Sequence, residues 1–258
     1  MEIQLNGLRT YVRREGRGPC VTLLHALGAD QSIWDAQAEA LAQRFTVLRP
    51  DLRGHGRSGV TPGAYSLPQL AADIVAIWDA LRVERSHVVG ISLGGFIAQH
   101  LALDWPARVD RLVLADTSSG YPPEAAAMWP ERIAKVEAEG TSPLVPATLE
   151  RWFTGDYRMR HRERVMRIGR VIETTSAAGY AGCCQAIAGL ATTERLGEIA
   201  APTLVLVGEH DVGTPVSMSR VLADGIPGAE LRVIENAAHL SNVEQPAVFS
   251  RLLFDFLD

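Results

Sequence analysis

Short apolar runs alternate with segments of helical spacing along most of this 258-residue chain. The runs are CVTLLH (20–25), FTVLRPD (45–51), SHVVGIS (86–92), VDRLVLAD (109–116), PTLVLVG (202–208) and ELRVIEN (230–236). Such runs are typical of strands that are buried on both faces of a parallel sheet. The alternation therefore predicts an α/β fold, with a mostly parallel sheet and helices on both of its faces.

Turn and capping residues locate further elements between these runs. Asn6-Gly7 separates EIQL from LRTYVRREG, and this dipeptide predicts a β-hairpin near the start of the chain. Ser66 can cap the helix that follows it, and Pro68 suits the first turn of that helix. Apolar residues then recur at steps of three and four, at Leu67, Leu70, Ile74, Ile77, Trp78 and Leu81.

The alternation breaks between about residues 118 and 198, where the sequence has helical spacing and no buried-strand run. An inserted helical block inside a βα series is expected to form a cap over the carboxyl edge of the sheet, where open α/β sheets bind ligands. We therefore divide the chain into the first part of a core (1–117), a helical cap (118–198) and the second part of the core (199–258).

Gly90-Ile91-Ser92-Leu93-Gly94 has the G-x-S-x-G pattern of a nucleophile elbow, a sharp turn between a strand and a helix. The context supports the pattern, because a buried strand is predicted before it and a helix from about Leu93 to Leu103 after it. Glycines two residues on either side of Ser92 leave room for this strained turn, and the helix N-terminus favours developing negative charge. Ser92 is therefore the candidate nucleophile. The alternative is a glycine-rich turn that contains a serine by chance.

A serine hydroxyl is a weak nucleophile until a base takes its proton. In a fold with this elbow the chain order is serine, acid, histidine, which leaves four histidines after Ser92 as candidates. His239 follows the last predicted strand, in a loop at the same sheet edge as Ser92, and is the expected base. The others lie in the helix after the elbow (His100), in the cap (His161) and beside the candidate acid (His210).

The acid that orients this histidine is expected on a loop at the same edge of the sheet. Asp211 follows the strand TLVLVG and is the preferred candidate. Glu209 in that loop, and Asp116 after an earlier strand, remain rivals. In the general triad mechanism, Asp211 would hold the tautomer of His239 and stabilise its cation, while His239 would deprotonate Ser92 and later activate water.

Acyl transfer also needs backbone donors that point at the tetrahedral oxyanion. The amide of Leu93, directly after the nucleophile, is one expected donor. The other is expected in the loop after CVTLL, where the amide of Leu27 has the best position. His25 is expected to stabilise this loop and to take no part in the chemistry.

Composition and charge exclude several other classes of protein. The formal net charge of −5 argues against a nucleic-acid partner, because phosphate binding takes a basic face. No run of about 18 apolar residues predicts a membrane helix, and residues 1–16 lack the apolar core of a secretory signal, which favours the cytoplasm. Cys20, Cys183 and Cys184 form a poor disulfide framework and are expected to be buried thiols. No spacing of metal ligands stands out, so no metal is expected.

The sequence resembles a known enzyme family in both its core and its cap. RGHGRS (53–58), GISLGG (90–95), GEHDVGTP (208–215) and AAHLSNVEQP (237–246) together resemble an α/β hydrolase, and WPERIAKV (129–136), TLERWFT (148–154) and GYAGCC (179–184) are similar to 3-oxoadipate enol-lactonases. The resemblance implies a cytoplasmic, cofactor-free serine hydrolase of aromatic-acid breakdown, which opens an unsaturated five-membered lactone to give 3-oxoadipate. One departure is Ala26, where many α/β hydrolases have glycine after the histidine.

The lactone that this resemblance implies carries a free carboxylate, so its pocket needs a cation. Arg132, beside Trp129 in the cap, is the expected carboxylate contact, because arginine can pair with a carboxylate through two hydrogen bonds. Trp152 is expected either to line the pocket or to belong to the core of the cap. Residues 151–170 hold seven arginines, most of which are expected to form a solvated basic helix face.

Two other functions are compatible with the same residues. One is a broad-specificity carboxylesterase or another lactonase, and the other is a ligand-binding, receptor-like hydrolase with weak turnover. Dehalogenase chemistry is disfavoured, because it needs a carboxylate where Ser92 stands. The sequence leaves the oligomeric state open, a homo-oligomer included.

Overall fold

The computed structural model describes residues 1–5, 7–122 and 127–258 of the chain. Within these ranges, eight strands form one sheet in the order β1-β2-β4-β3-β5-β6-β7-β8. The strands are β1 (Glu2–Leu5), β2 (Leu8–Gly16), β3 (Cys20–Leu24), β4 (Thr46–Pro50), β5 (Ser86–Ile91), β6 (Val109–Ala115), β7 (Thr203–Gly208) and β8 (Glu230–Ile234). β1 and β2 run antiparallel to their neighbours, and β3 to β8 are mutually parallel. The predicted α/β fold is confirmed.

Helices cover both faces of the sheet. They are α1 (Asp35–Leu41), α2 (Leu67–Ala80), α3 (Leu93–Asp104), α9 (Val216–Gly225), the short α10 (Ser241–Glu244) and α11 (Pro246–Leu257). Apolar residues of α2, α3 and α9 pack on one face, and those of α1 and α11 on the other. Successive residues of β5 point to opposite faces, so that Val88 packs with the first group and Val89 with the second. Apolar residues of the central strands are therefore buried on both faces of the sheet.

The two ends of the sheet differ from its centre. β8 lies at the edge, and most of its residues are partly or fully exposed, because no strand or helix covers the outer side of an edge strand completely. At the other end, β1 pairs with β2 through Leu5 and Leu8, as the predicted hairpin requires, and Gly7 has a φ of +78°. Asn6, the other residue of that turn, lies outside the described residues.

Helices occupy the described part of the segment between β6 and β7. They are α4 (Met128–Glu139), α5 (Val145–Trp152), α6 (Gly155–Arg160), α7 (Arg162–Thr174) and α8 (Ala177–Ala188). We call this helical segment the cap. The cap touches the core backbone to backbone at Gly54 and Gly179, because a Cβ atom on Gly54 would lie 2.5 Å from the Cα of Gly179. Both positions therefore need a residue without a side chain.

None of the helices within the described ranges is both long and apolar enough to cross a membrane.

All three cysteines are free thiols: Cys183 and Cys184 are buried, and Cys20 is half-buried. Burial raises the pKa of the Cys184 thiol to about 12, which makes it a poor nucleophile.

Candidate active site

The turn between β5 and α3 holds Ser92 in a strained backbone conformation. Its φ is +54° and its ψ is −118°, a combination that side chains with a Cβ rarely adopt. The neighbouring glycines are required by contact: a Cβ on Gly90 would lie 2.2 Å from the carbonyl oxygen of Gly94, and one on Gly94 would lie 2.1 Å from that of Leu24. The strand, the sharp turn and the helix expected around the elbow are all present.

Three distant segments meet beside Ser92. The Nε2 atom of His239, in the loop after β8, lies 2.9 Å from the Oγ of Ser92. Its Nδ1 atom lies 2.8 Å from the Oδ2 of Asp211, in the loop after β7. His239 is 7% exposed and Asp211 is 4% exposed. The structure thus brings together the three residues that were expected to form a triad, in the order and at the distances that proton transfer needs.

Three hydrogen-bond donors besides His239 hold Asp211. Its Oδ1 accepts hydrogen bonds from the backbone N–H groups of Gly213 (2.8 Å) and Thr214 (3.0 Å). Its Oδ2 accepts a hydrogen bond from the hydroxyl of Thr214 at 2.7 Å, in addition to the one from His239. A carboxylate with so many donors is held in one orientation and favours its charged form.

The rival residues lie elsewhere. Asp116 accepts hydrogen bonds from the N–H of Gly208 (2.7 Å) and the hydroxyl of Ser241 (2.5 Å), and none from His239. Glu209 is exposed and bonds to a turn N–H, and His210 lies exposed beside it. The remaining two histidines also lie apart from Ser92: His100 pairs with Asp104, and His161 stacks on Tyr157.

Burial and charge act in opposite directions on the ionisable groups of this site. Burial by itself would lower the pKa of His239, but the negative charge of Asp211 and the hydrogen bond to it outweigh burial, so that the pKa is raised. For Asp211, burial disfavours the carboxylate, but the charge of His239 and the hydrogen bonds from His239 and Thr214 outweigh it and lower the pKa. Asp211 is therefore ionised at neutral pH, and His239 is a stronger base than a free imidazole.

The backbone N–H groups of Leu27 and Leu93, near Ser92, have no hydrogen-bond acceptor among the described residues. These are the two amides that the sequence predicts for an oxyanion hole. Leu93 begins α3, so its N–H is one of the four that a helix leaves unpaired at its N-terminus. The adjacent N–H of Gly28 is in contrast occupied, because it donates to the Nε2 of His55 at 2.9 Å.

Two buried histidines hold the loop that carries Leu27. The Nε2 of His25 accepts a hydrogen bond from the N–H of Leu52 (2.9 Å), and its Nδ1 contacts the carbonyl of Ala26 (2.8 Å). His55 lies against His25, with ring centroids 5.4 Å apart. Burial, with the neighbouring His25, lowers the pKa of His55 to about 3, so that it stays neutral and can accept. The structural role expected for His25 agrees with these contacts. His55 belongs to the RGHGRS segment of the resemblance, but no role was predicted for it.

A cavity of about 310 Å³ opens beside Ser92 and His239 and is closed on its other side by the cap. Its walls are mostly apolar, and they consist of Leu27, Phe96, Tyr121, Met128, Trp129, Trp152, Tyr180, Ile187, Val212, Pro215 and Met218, with Arg132, Arg151, Gly213 and Thr214. The three cap residues expected at the substrate, Trp129, Arg132 and Trp152, all line this cavity. The volume of the cavity and its lining residues suit a small organic molecule with an apolar part and a charged part.

Two of the polar groups in this cavity, Arg151 and Tyr180, were not among the predicted site residues. Arg151 was only one of the seven cap arginines, and the other six do not line the cavity. Tyr180 had no role at all, although its hydroxyl accepts hydrogen bonds from the Nε (3.0 Å) and Nη2 (2.6 Å) of Arg132. Arg151 directly precedes Trp152 in α5, but consecutive residues of a helix do not share a face, so this position gave no signal.

These residues can together carry out acyl transfer. The site contains an activated nucleophile, which consists of a hydroxyl at a strained turn, an imidazole in contact with it and a buried carboxylate bonded to the imidazole. The unpaired N–H groups of Leu27 and Leu93 can stabilise an oxyanion. Among the described residues, no group of three or more potential ligands is placed to hold a metal ion.

Comparison with known proteins relates this arrangement to one family. The family model described as alpha/beta hydrolase fold matches residues 19–246. Among curated proteins, 3-oxoadipate enol-lactonase 2 of Acinetobacter baylyi is 34% identical over 90% of this chain and 86% of its own. RutD of Agrobacterium fabrum, which is named for carbamate hydrolysis, is 32% identical over 95% of both chains. Among solved structures, the enol-lactonase from Burkholderia xenovorans LB400 is 34% identical, with a TM-score of 0.96 over 100% of this chain and 99% of the other.

Proposed function

Because this chain belongs to the α/β-hydrolase family, we propose that it opens 3-oxoadipate enol-lactone to 3-oxoadipate through an acyl-enzyme on Ser92. One observation carries the proposal: the hydrogen-bonded series Ser92–His239–Asp211 opens into an apolar cavity that also contains arginine side chains. That combination suits an acyl substrate with a free carboxylate. The likeness to enol-lactonases in sequence and in structure supports this choice of substrate.

In the first half of the reaction, Ser92 attacks the carbonyl carbon of the lactone. His239, held by Asp211 with its Nε2 toward Ser92, takes the hydroxyl proton as the new C–O bond forms. The N–H groups of Leu27 and Leu93 stabilise the oxyanion. The tetrahedral intermediate then collapses and breaks the bond to the ring oxygen, which leaves as an enolate and takes a proton from the imidazolium.

The enol lactone is well suited to this mechanism. Its leaving group is stabilised by resonance, so that acylation needs little help from an acid. The enol then becomes a ketone, which makes closure of the ring unfavourable, although the leaving group is still tethered to the acyl-enzyme. In the second half, His239 deprotonates water, the hydroxide attacks the acyl carbon, and the proton returns to Ser92 as the ester bond breaks.

The cap supplies the surroundings of the rest of the substrate in this proposal. Trp129 and Trp152 are both largely buried and contribute apolar wall. Arg132 lies between the rings of Trp129 and Tyr180, with its guanidinium carbon 5.9 Å and 5.6 Å from the two ring centroids. A guanidinium held in this way can receive a carboxylate with little loss of side-chain entropy. The reaction uses only groups of this chain and water.

The direct test is an assay of the purified protein with 3-oxoadipate enol-lactone, followed by the loss of its ultraviolet absorbance. We expect turnover with the lactone at a higher kcat/KM than with 4-nitrophenyl acetate, and a loss of several orders of magnitude for both substrates in Ser92→Ala. A preference for the uncharged ester would replace the proposal with a broad-specificity carboxylesterase. Absence of labelling of Ser92 by a fluorophosphonate would favour a receptor-like protein.

A further inference from the structure

Two guanidinium groups share the catalytic cavity. Arg132 on α4 and Arg151 on α5 both line it, together with Ser92 and His239. Within the described part of the chain, no carboxylate lies within ion-pair distance of either arginine. Asp211 is the one carboxylate there whose charge raises the pKa of Arg151. That carboxylate is already occupied by His239, Gly213 and Thr214.

Other arginines of the cap behave differently. Arg160 pairs with Asp156 at 3.0 Å on the surface, and Arg158 lies 3.9 Å from Glu150. Of the four arginines of α7, three are exposed and one, Arg164, is half-buried, and none of them lines the cavity. The two cavity arginines are thus distinguished from the basic face by their location beside Ser92 and His239.

Arg132 is held in place by Tyr180. The tyrosine hydroxyl accepts from the Nε and the Nη2 of Arg132, which uses both of its lone pairs. Burial raises the pKa of Tyr180 to about 12, so its hydroxyl keeps its proton. That proton has no acceptor among the described residues. Tyr180 can therefore donate into the cavity, beside the remaining N–H groups of Arg132.

Of the two arginines in the cavity, Arg151 has fewer hydrogen bonds from its guanidinium. In the described ranges it makes no hydrogen bond, whereas Arg132 makes two. Burial first and the like charge of Arg132 second lower its pKa, yet arginine stays charged in proteins. Two like charges in a half-enclosed, largely apolar cavity repel one another. An anion bound between the two guanidinium groups would attract both of them and offset their repulsion, whereas an uncharged ligand would leave the repulsion in place.

We propose that Arg151 and Arg132, together with the hydroxyl of Tyr180, form a carboxylate-binding subsite in which Arg151 selects anionic acyl substrates. The ligand class is an ester or lactone whose acyl part carries a carboxylate away from the reacting carbonyl. The subsite rests on the proposed function only in that its ligand is the substrate attacked by Ser92. It adds Arg151 as a residue that determines specificity and Tyr180 as the residue that positions Arg132.

The first test compares two matched esters: the mono-4-nitrophenyl ester of adipic acid, and the same compound with its free carboxyl methylated. The wild-type protein should prefer the anionic ester. In Arg151→Met, the ratio of kcat/KM for the anionic over the methylated ester should fall about 10- to 100-fold, the range of a hydrogen bond to a charged group. Most of the fall should lie in KM, because the lost contact does not touch the reacting atoms.

Matched variants separate this role from general damage to the fold. Arg160→Met removes a surface cap arginine and should leave the ratio unchanged. Arg151→Lys keeps the charge without the planar fork, and should recover part of the ratio. Tyr180→Phe should raise KM for the anionic ester only. An unchanged ratio in Arg151→Met, or an equal fall in Arg160→Met, would reject the subsite.

A binding measurement keeps the proposal testable if Arg151→Met does not fold. Calorimetry on Ser92→Ala should show binding of adipate and much weaker binding of adipamide, which has the same shape without charge. Equal binding of both would overturn the subsite. The two proposals also fail separately: charge selection among the esters without turnover of the enol-lactone would reject the proposed reaction and keep the subsite, and lactone turnover with an unchanged ester ratio would do the opposite.

Discussion

At the scale of single residues, Asp116 shows how a buried carboxyl can support a site without taking part in its chemistry. It is fully buried, with a φ of +45°. Its two oxygens accept from Gly208, at the end of the strand before Asp211, and from Ser241, two residues after His239. It therefore ties together the two loops that carry the acid and the base. Burial and repulsion from Asp211 raise the pKa of Asp116 to about 8.

The raised pKa of His239 predicts the pH dependence of the reaction. His239 must be neutral to accept the proton of Ser92, so activity is lost as the pH falls through the pKa of His239. Because Asp211 raises that pKa, the acid limb of kcat/KM for an uncharged ester should lie above 6.5, the ordinary value for histidine. A pH profile of kcat/KM with 4-nitrophenyl acetate measures it, since this substrate does not ionise.

Asp211→Asn is the matched control for this profile. Without the carboxylate, the acid limb should shift to lower pH, and turnover should fall by about 10⁴-fold, as expected when the histidine is no longer held in its tautomer. An acid limb below 6.5 in the wild-type protein would contradict the electrostatic argument.

At the scale of elements, the elbow between β5 and α3 stores backbone strain where the reaction occurs. The positive φ of Ser92 is unfavourable for any residue with a Cβ. Gly90 and Gly94 pack so closely against neighbouring carbonyls that neither position has room for a side chain. The strain is therefore maintained by the sheet and by α3, and it places the hydroxyl at the carboxyl edge of the sheet.

A pair of variants at the nucleophile should reveal this strain. Both Ser92→Ala and Ser92→Gly remove the hydroxyl and should abolish turnover. Glycine relieves the strain at positive φ, which outweighs its larger entropy in the unfolded chain, so Ser92→Gly should be more stable than Ser92→Ala by about 1 kcal/mol. Urea unfolding of the two variants measures the difference. Equal stability, or a more stable alanine variant, would mean that the turn is not strained.

At the scale of the whole molecule, a buried glutamate joins the cap to the loop of the catalytic histidine. The Oε1 of Glu244 accepts from the N–H (2.8 Å) and the hydroxyl (2.9 Å) of Thr154 in the cap. Its Oε2 accepts from the N–H of Ala238, the residue before His239, at 2.5 Å. The N–H of Leu240 donates to the carbonyl of Trp152 at 3.1 Å and reinforces the connection. The wall of the cavity and the general base are thereby held in one unit.

Removal of this connection should affect both stability and catalysis. Glu244→Ala leaves three donors without their acceptor and should lower the free energy of unfolding by about 2 kcal/mol or more. Because the loop of His239 and the cap both loosen, kcat should fall and KM should rise. Denaturant unfolding and steady-state kinetics measure these effects. Asp156→Asn, an exposed change in the same part of the cap, is the control. Similar effects in both variants would contradict the role of Glu244 in joining the cap to the loop of His239.

Much of the site could be predicted because its signals are local. The elbow at Ser92 follows from its two flanking glycines and from the strand and helix around it, and a period of three to four residues marks the helices. In a parallel sheet, loops that follow successive strands emerge at the same edge, so Asp211 and His239 could be expected near Ser92 from their positions in the strand order alone.

The sequence by itself determined the alternation of strands and helices, the elbow and the candidate triad, since each depends on neighbouring residues or on the rule that parallel strands end at one edge. Only the tertiary structure decided which of seven cap arginines faces the cavity, that Tyr180 holds Arg132, and that His55 and Glu244 support the loops of the site. Arg151 differs from Arg158 or Arg160 only in the direction in which its helix is packed on the core. That direction results from contacts between residues far apart in the chain, such as Gly54 with Gly179 and Thr154 with Glu244, which leave no periodic pattern in the sequence.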